Sequence, residues 1–171
     1  PGLIQNKYAD AVLRRWLKYA DAAMTIGYGV ADLYKREYGV DPVIITNSPF
    51  YKELSPVNRK DGKIRLVHHG LADRQRHLES MIEVLRLLDE RFTLDFYLVS
   101  HDDAYYEQLK RSASGEKRIV FNDPVPMQDL PERLNSYDIG IRFYPAPTLN
   151  LQNGLPNKFF EFIQARLGVA V

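Results

Sequence analysis

Near the end of the sequence, Asn153-Gly154-Leu155-Pro156-Asn157-Lys158-Phe159-Phe160-Glu161 combines residue types that can do chemistry together. A Gly/Asn/Pro loop runs into a predicted helix that carries Lys158 and Glu161 in its first turns. Such a loop aims unpaired backbone N–H groups and the positive helix end at one spot, which suits a phosphate. Asn157 is the expected N-cap. Glu161 follows about one turn later, within reach of a sugar hydroxyl. It lies roughly 100° around the helix from Phe160. With Phe160, Ile163 and Leu167 assigned to the core face, Glu161 is left facing the loop. Tyr144-Pro145-Ala146-Pro147 and Asn150 lead into this segment.

Two other segments carry compatible chemistry. His68-His69-Gly70 ends a predicted strand, and Arg74-Gln75-Arg76 opens the helix that follows. Gly70 permits a tight turn, and an arginine at a helix start adds charge to the helix dipole for a phosphate. Asn122-Asp123-Pro124-Val125-Pro126 is a stiff loop after another strand, whose backbone can meet the edge of a base. The paired histidines do not suggest a metal site. Neighbours on a strand point to opposite faces and cannot chelate one ion.

The elements that must position these residues follow from periodicity. Helical spacing predicts helices over residues 6–19 and 30–38, the second ended by Gly39. Short strands are expected at 22–26 and, buried, at Pro42–Thr46. Residues 50–62 are polar, with Pro and Asp-Gly and no apolar period, as in a linker. The pattern then alternates strand and helix: strands at 64–69, 94–99, 118–121 and 139–143, helices at 78–88, 103–111, 128–137 and 157–166. Gly168-Val169-Ala170-Val171 reads as the start of another buried strand. This alternation predicts an α/β fold, a doubly wound, Rossmann-like parallel sheet that is incomplete at both ends. In such sheets a ligand sits outside the carboxyl ends of the strands.

Composition excludes several classes of function. Lys+Arg 23 against Asp+Glu 22 provides no global attraction to nucleic acid. No apolar run reaches the roughly 20 residues that span a bilayer. The absence of cysteine removes disulfides and thiolate metal sites, and favours the cytoplasm.

The chain resembles the family 4 glycosyltransferases of the GT-B fold. His68-His69-Gly70, Arg76 and Leu78-Glu79 are similar to the first loop of that family's C-terminal domain. Gly154 to Phe162, followed by Ala165, Gly168 and Val169, is similar to its PNK-x-x-E-x-x-x-A signature. Ala20 to Ile26 and the turn containing Asn47 resemble the end of its N-terminal domain. The resemblance implies residues 1–49 from an N-terminal domain, an interdomain linker at 50–62, and a partial nucleotide-sugar-binding domain at 63–171.

It further implies a retaining transferase with a nucleotide-diphosphate sugar as co-substrate and neither metal nor cofactor. Gly70, Arg76, Gly154, Asn157 and Lys158 would bind the donor pyrophosphate, Glu161 the ribose, Asn153 the donor sugar, and Asn122 and Val125 the base. Leu71 stands where the family often has arginine, and Asn153 where its paired-glutamate motif has the first acid. The catalytic residue is not identified. The expected partners are the donor, an acceptor glycan or lipid-linked sugar, and a missing N-terminal domain. No nucleic acid is expected, and the full protein is placed in the cytoplasm, with a peripheral position at the inner membrane face as an option. The alternatives are a GT-B epimerase or phosphorylase, or a non-catalytic nucleotide-binding domain.

Overall fold

A computed structural model describes residues 6–143 and 149–171. Its internal contacts divide the chain into two compact units, Pro1–Ser48 with Ala146–Asn157, and Pro49–Pro145 with Lys158–Val171.

In the first unit, α1 (Lys7–Trp16) is capped by Asn6, whose side chain accepts from Tyr8 N at 2.9 Å. Two short parallel strands, β1 (Met24–Thr25) and β2 (Val43–Ile44), flank α2 (Tyr28–Tyr38). Gly39 ends α2 in the left-handed conformation, as its position predicts. Tyr38 donates to Asp10 at 2.8 Å and Arg14 to the Glu37 carbonyl at 3.0 Å, tying α1 to the end of α2. The strand expected to be buried at Pro42–Thr46 is two residues long, with Val43 64% exposed. A two-stranded ribbon covers too little of its own surface to bury it.

The second unit holds five parallel strands: β3 (Ile64–Ala72), β4 (Phe92–Ser100), β5 (Ile119–Asn122), β6 (Ile139–Ile141) and β7 (Gly168–Ala170). Their order is β5-β4-β3-β6-β7. The chain therefore winds outward from β3 to one side, then returns to β3 and winds to the other. The α/β expectation is met, and the reversal leaves a crevice at the carboxyl ends of β3 and β6.

Alternation along the strands makes two cores. Leu66, Leu94, Phe96 and Leu98 pack under α3 (Glu79–Leu87) and α4 (Asp103–Ser112). Val67 and Tyr97 pack on the other face with α5 (Leu130–Leu134) and α7 (Asn157–Gln164). Gly140 lets α7 approach β6 closely, since a Cβ there would collide with the Phe162 ring. Residues 50–62 form no helix or strand but are strapped down through their carbonyls. Gln164 donates to Lys52 O at 2.5 Å, Arg166 to Leu54 O at 2.9 Å and Asn135 to Ser55 O at 3.0 Å.

The core face of α7 differs from the expected one. Phe162 and Ala165 are fully buried, Ile163 is 46% exposed, and Glu161 is itself only 6% exposed. A helix reading Phe-Phe-Glu-Phe-Ile offers apolar residues on several sides, so spacing alone does not fix the buried stripe. A further helix, α6 (Leu149–Asn153), falls where a loop was expected. Five residues are too few to show a helical period.

Candidate functional site

The crevice is built around Gly70 at the end of β3. Its φ of +116° is a conformation that favours glycine. The pairing with β4 runs on in register to Ala72, so the tight turn expected after residue 69 does not form and the strand is three residues longer than its apolar pattern suggested. Next, Asp73 accepts from Gln75 N at 2.9 Å and starts a single 3₁₀ turn, Arg74–Arg76. His77, with φ 47°, then redirects the chain into α3. Arg76 thus sits in a separate turn before the helix rather than in the helix's first turn, because His77 breaks the path between them.

The turn sends its two arginines apart. Arg74 donates to Asp102 at 2.8 Å and to Gln108 at 3.1 Å, and covers the Tyr105 ring at 5.0 Å. Asp102 also caps α4, as its place before that helix predicts. Arg76 turns toward Gly70: its Nη1 would lie 3.6 Å from a Cβ at that position, and it donates to Leu71 O at 3.4 Å.

Lys158, in the first turn of α7, comes from the other side. A Cβ on Gly70 would meet its Cε at 2.9 Å and collide with Nζ. The absence of a side chain at residue 70 is what admits the ammonium. Burial, and then the nearby Arg76 charge, push the Lys158 pKa down to about 8. Two cations are therefore held together at a desolvated corner, an arrangement that an anion relieves.

Glu161 is one turn along the same helix face. Its carboxylate is 3.2 Å from His69 Nε2, and both side chains are 8% exposed. The contact lies outside hydrogen-bonding alignment, so Nε2 has no directed partner. Burial lowers the His69 pKa, with the Glu161 contact opposing it, and the ring stands edge-on to Phe162 at 5.4 Å.

His68 points to the opposite face, edge-on to Phe96, with Nδ1 2.8 Å from the Ile141 carbonyl. That carbonyl can only accept, so Nδ1 carries the proton. Complete burial, and then the Lys158 charge, drive the His68 pKa down to about 3.

Across the sheet, His69 is in register with Tyr97 and Tyr97 with Asn122. All three side chains rise from one face, on strands about 4.8 Å apart. Beyond them opens a cleft of about 650 Å³, lined by Tyr97, Asn122, Pro124, Val125 and Arg133 among others. Two of its lining residues, Tyr97 and Asn122, belong to a hydrogen-bonded chain that continues behind them. Tyr137 donates to Asp95 at 2.7 Å, Asn122 Nδ2 donates to the same oxygen at 3.1 Å, and Tyr97 OH is 2.8 Å from Tyr137 OH. Tyr137 has given its only proton to Asp95, so Tyr97 donates to Tyr137. Burial, then Tyr97 and Asp95, raise the Tyr137 pKa.

The structure thus brings Gly70, Arg76, Lys158 and Glu161 together, and sets Asn122 and Val125 in the cleft along the same strand ends. Asn153, Gly154 and Asn157 belong to the first unit. Asn157 Oδ1 there accepts from Asn47 at 3.0 Å. Asn153 Nδ2 donates to Leu149 O at 2.8 Å, and its Oδ1 would lie 2.9 Å from a Cβ on Gly29. Tyr144-Pro145-Ala146-Pro147 lie outside the described residues. Sequence reasoning did not find the His69–Glu161 contact or the Tyr97–Tyr137–Asp95 chain. Strand register is the signal that joins them, and it appears only once the pairing is known.

No family profile matches the sequence, and no curated protein matches it by sequence. Solved structures do match in fold. Anabaena HepE in complex with UDP and glucose superposes with a TM-score of 0.73 at 14% identity, over 95% of this chain and 46% of that one. The lipopolysaccharide outer core galactosyltransferase WaaB gives 0.72 at 15% identity, over 98% and 46%. The pneumococcal O-GlcNAc transferase GtfA, bound to UDP and GlcNAc, gives 0.64 at 15%, over 96% and 32%. This chain therefore spans about a third to a half of those proteins. Its Rossmann-like parallel sheet is the fold found in these GT-B glycosyltransferases.

Proposed function

We propose that this chain is the donor-binding part of a glycosyltransferase that uses a nucleotide-diphosphate sugar. The observation that carries the reading is the convergence of Lys158 and Arg76 on Gly70 at the sheet reversal, with the Glu161 carboxylate one turn away. In this reading the diphosphate lies against the two cations and the Gly70 corner. The ribose reaches Glu161, and the base enters the cleft beside Tyr97, Asn122 and Val125. The sequence resemblance assigns phosphate contacts to Gly154 and Asn157 and the donor sugar to Asn153, residues of the first unit. Fold neighbours solved with UDP support a nucleotide ligand.

The chemistry follows from the charges. Transfer breaks the bond between the anomeric carbon and a diphosphate oxygen, and the diphosphate leaves with the electron pair. Lys158 and Arg76 stabilise that growing charge where water is largely excluded, which is worth most in the transition state. Retention of configuration, independence from metal, and an acceptor that is a glycan or lipid-linked sugar belong to this proposal on the strength of the sequence resemblance. So do an acceptor side supplied by an N-terminal domain and a cytoplasmic location. Among the described residues, no helix is long and apolar enough to cross a membrane.

Calorimetric titration with UDP and GDP tests the reading. One of them binds the wild-type chain, and Glu161→Ala weakens it about tenfold or more. A wild-type chain that binds neither nucleotide sinks the proposal. A second reading, a nucleotide-binding domain without catalysis, draws on Asn153. That residue is neutral, and its amide is committed to the Leu149 carbonyl. Nucleotide binding by the full-length protein without turnover of any nucleotide sugar would favour it.

A further inference from the structure

The histidine that the nucleotide-sugar reading leaves without a task is the one closest to Glu161. We infer that His69 is a positioning residue that aims the Glu161 carboxylate at the ribose 2′-hydroxyl, making the site selective for ribonucleotides over 2′-deoxyribonucleotides. This rests on the proposed nucleotide site.

The geometry carries the inference in three steps. Both side chains are nearly closed to solvent, and Nε2 faces Oε2 at 3.2 Å without an aligned hydrogen bond. A carboxylate only accepts, so Nε2 is the nitrogen that presents a proton to it. His69 and His68 therefore hold their protons on opposite ring nitrogens, although they are adjacent in sequence. Burial keeps the His69 ring neutral, and its edge contact with Phe162 restrains its plane.

Secondly, His69 competes with Lys158 for the same carboxylate. Lys158 is three residues earlier on α7 and acts electrostatically on Glu161. Without the imidazole, Glu161 is free to swing to the ammonium, and the pair would neutralise each other. His69 holds the acid away and leaves both groups available to a ligand.

The third step concerns what the held carboxylate accepts. An imidazole N–H at 3.2 Å faces only one of the two carboxylate oxygens and leaves most of the acceptor sites open. Those sites need donors once a ligand excludes water, and a ribose diol supplies two. A 2′-deoxyribose supplies one, leaving a buried acceptor unmatched, which is a strong ground for rejection.

The test compares UDP with 2′-deoxy-UDP, and GDP with 2′-deoxy-GDP, by calorimetry on the wild-type chain, His69→Phe and His69→Gln. Wild type prefers the ribonucleotide by at least about tenfold. His69→Phe keeps an aromatic edge against Phe162 but offers no proton, and its preference falls below about threefold. His69→Gln places an amide N–H near the same position and recovers most of the preference. A ratio unchanged in His69→Phe, or a wild type without preference, overturns the inference while leaving the nucleotide site standing. Absence of any nucleotide binding by wild type overturns both. General damage to the fold weakens both sugars alike and leaves the ratio where it was.

Discussion

At the Gly70 corner, the Lys158 ammonium is packed beside the Arg76 guanidinium and is penalised by burial. At the Asn122 cleft, a few strands away on the same edge, Tyr97, Tyr137, Asp95 and Asn122 form a closed chain of hydrogen bonds. The corner depresses the pKa of its lysine to about 8, whereas the cleft pushes the Tyr137 phenol up, away from ionisation. One region holds charge in a state that a ligand improves. The other is complete before a ligand arrives and contributes shape. In the proposed nucleotide site, this contrast separates where binding energy would be generated from where the bound group would be accommodated.

The sharpest break is Gly70→Val. A Cβ there overlaps the Lys158 ammonium, and φ +116° is strained for a β-branched residue. Pyrophosphate and nucleoside-diphosphate binding should fall roughly a hundredfold, and stability by about 1–3 kcal/mol, read by calorimetry and thermal melts. Wild-type affinity in the variant would show that the corner is not the phosphate site.

Lys158→Met sharpens the comparison by moving two quantities in opposite directions. Diphosphate affinity drops about 10–100-fold with the loss of a charge-assisted contact. Unliganded stability rises by about 1–3 kcal/mol at pH 7, because a desolvated charge beside Arg76 is gone. A variant that loses stability instead would mean that Lys158 is not strained in the free protein.

The pH dependence follows from the same shift. The folded pKa of Lys158, about 8, lies below the ordinary 10.5, so burial penalises the protonated form. That penalty is fully present below pH 8 and fades as pH rises toward 10.5. Unliganded stability therefore gains a contribution across that window, while diphosphate affinity declines by about tenfold between about pH 7 and 9.5, approaching the loss seen in Lys158→Met. The gain should vanish in Lys158→Met. Denaturant melts across the pH range decide this.

Tyr137→Phe gives the smallest effect on binding. It strands the Tyr97 hydroxyl and one Asp95 contact, costing about 1–2 kcal/mol of stability. Pyrophosphate affinity should not change, and nucleotide affinity should move less than about threefold. A large loss of pyrophosphate binding would erase the distinction between the two regions.

The same contrast explains what was legible in the sequence. Strand–helix alternation gave the parallel sheet, and Gly70, Arg76, Lys158 and Glu161, singled out from local residue types, do lie close together. The hydrogen-bonded chain beside the cleft was not recognisable, since Asp95, Tyr97, Asn122 and Tyr137 come from separated segments with no local motif. Their meeting depends on strand register. Arg74 and Arg76 look equivalent in sequence. What separates them is the left-handed His77 and the acid at Asp102, both matters of tertiary context. The buried stripe of α7 was misassigned because its aromatic residues nearly encircle the helix. The expected burial of Pro42–Thr46 holds at Pro42 and fails beyond it for a different reason, since a strand's apolar composition says nothing about how many neighbours it has.

The strap at residues 50–62 has a consequence for how this protein can change. Its three anchors, Gln164, Arg166 and Asn135, grip main-chain carbonyls of Lys52, Leu54 and Ser55, and every amino acid possesses that group. At Leu54 and Ser55 these contacts leave the residue's identity open, whereas Lys52 also pairs with Glu132 at 2.8 Å and Arg59 with Asp138 at 3.8 Å. The anchors enjoy no such freedom, because each must supply its own donor. Mutational tolerance is therefore one-sided along these carbonyl contacts, broad at Leu54 and Ser55 and narrow on the residues that hold them.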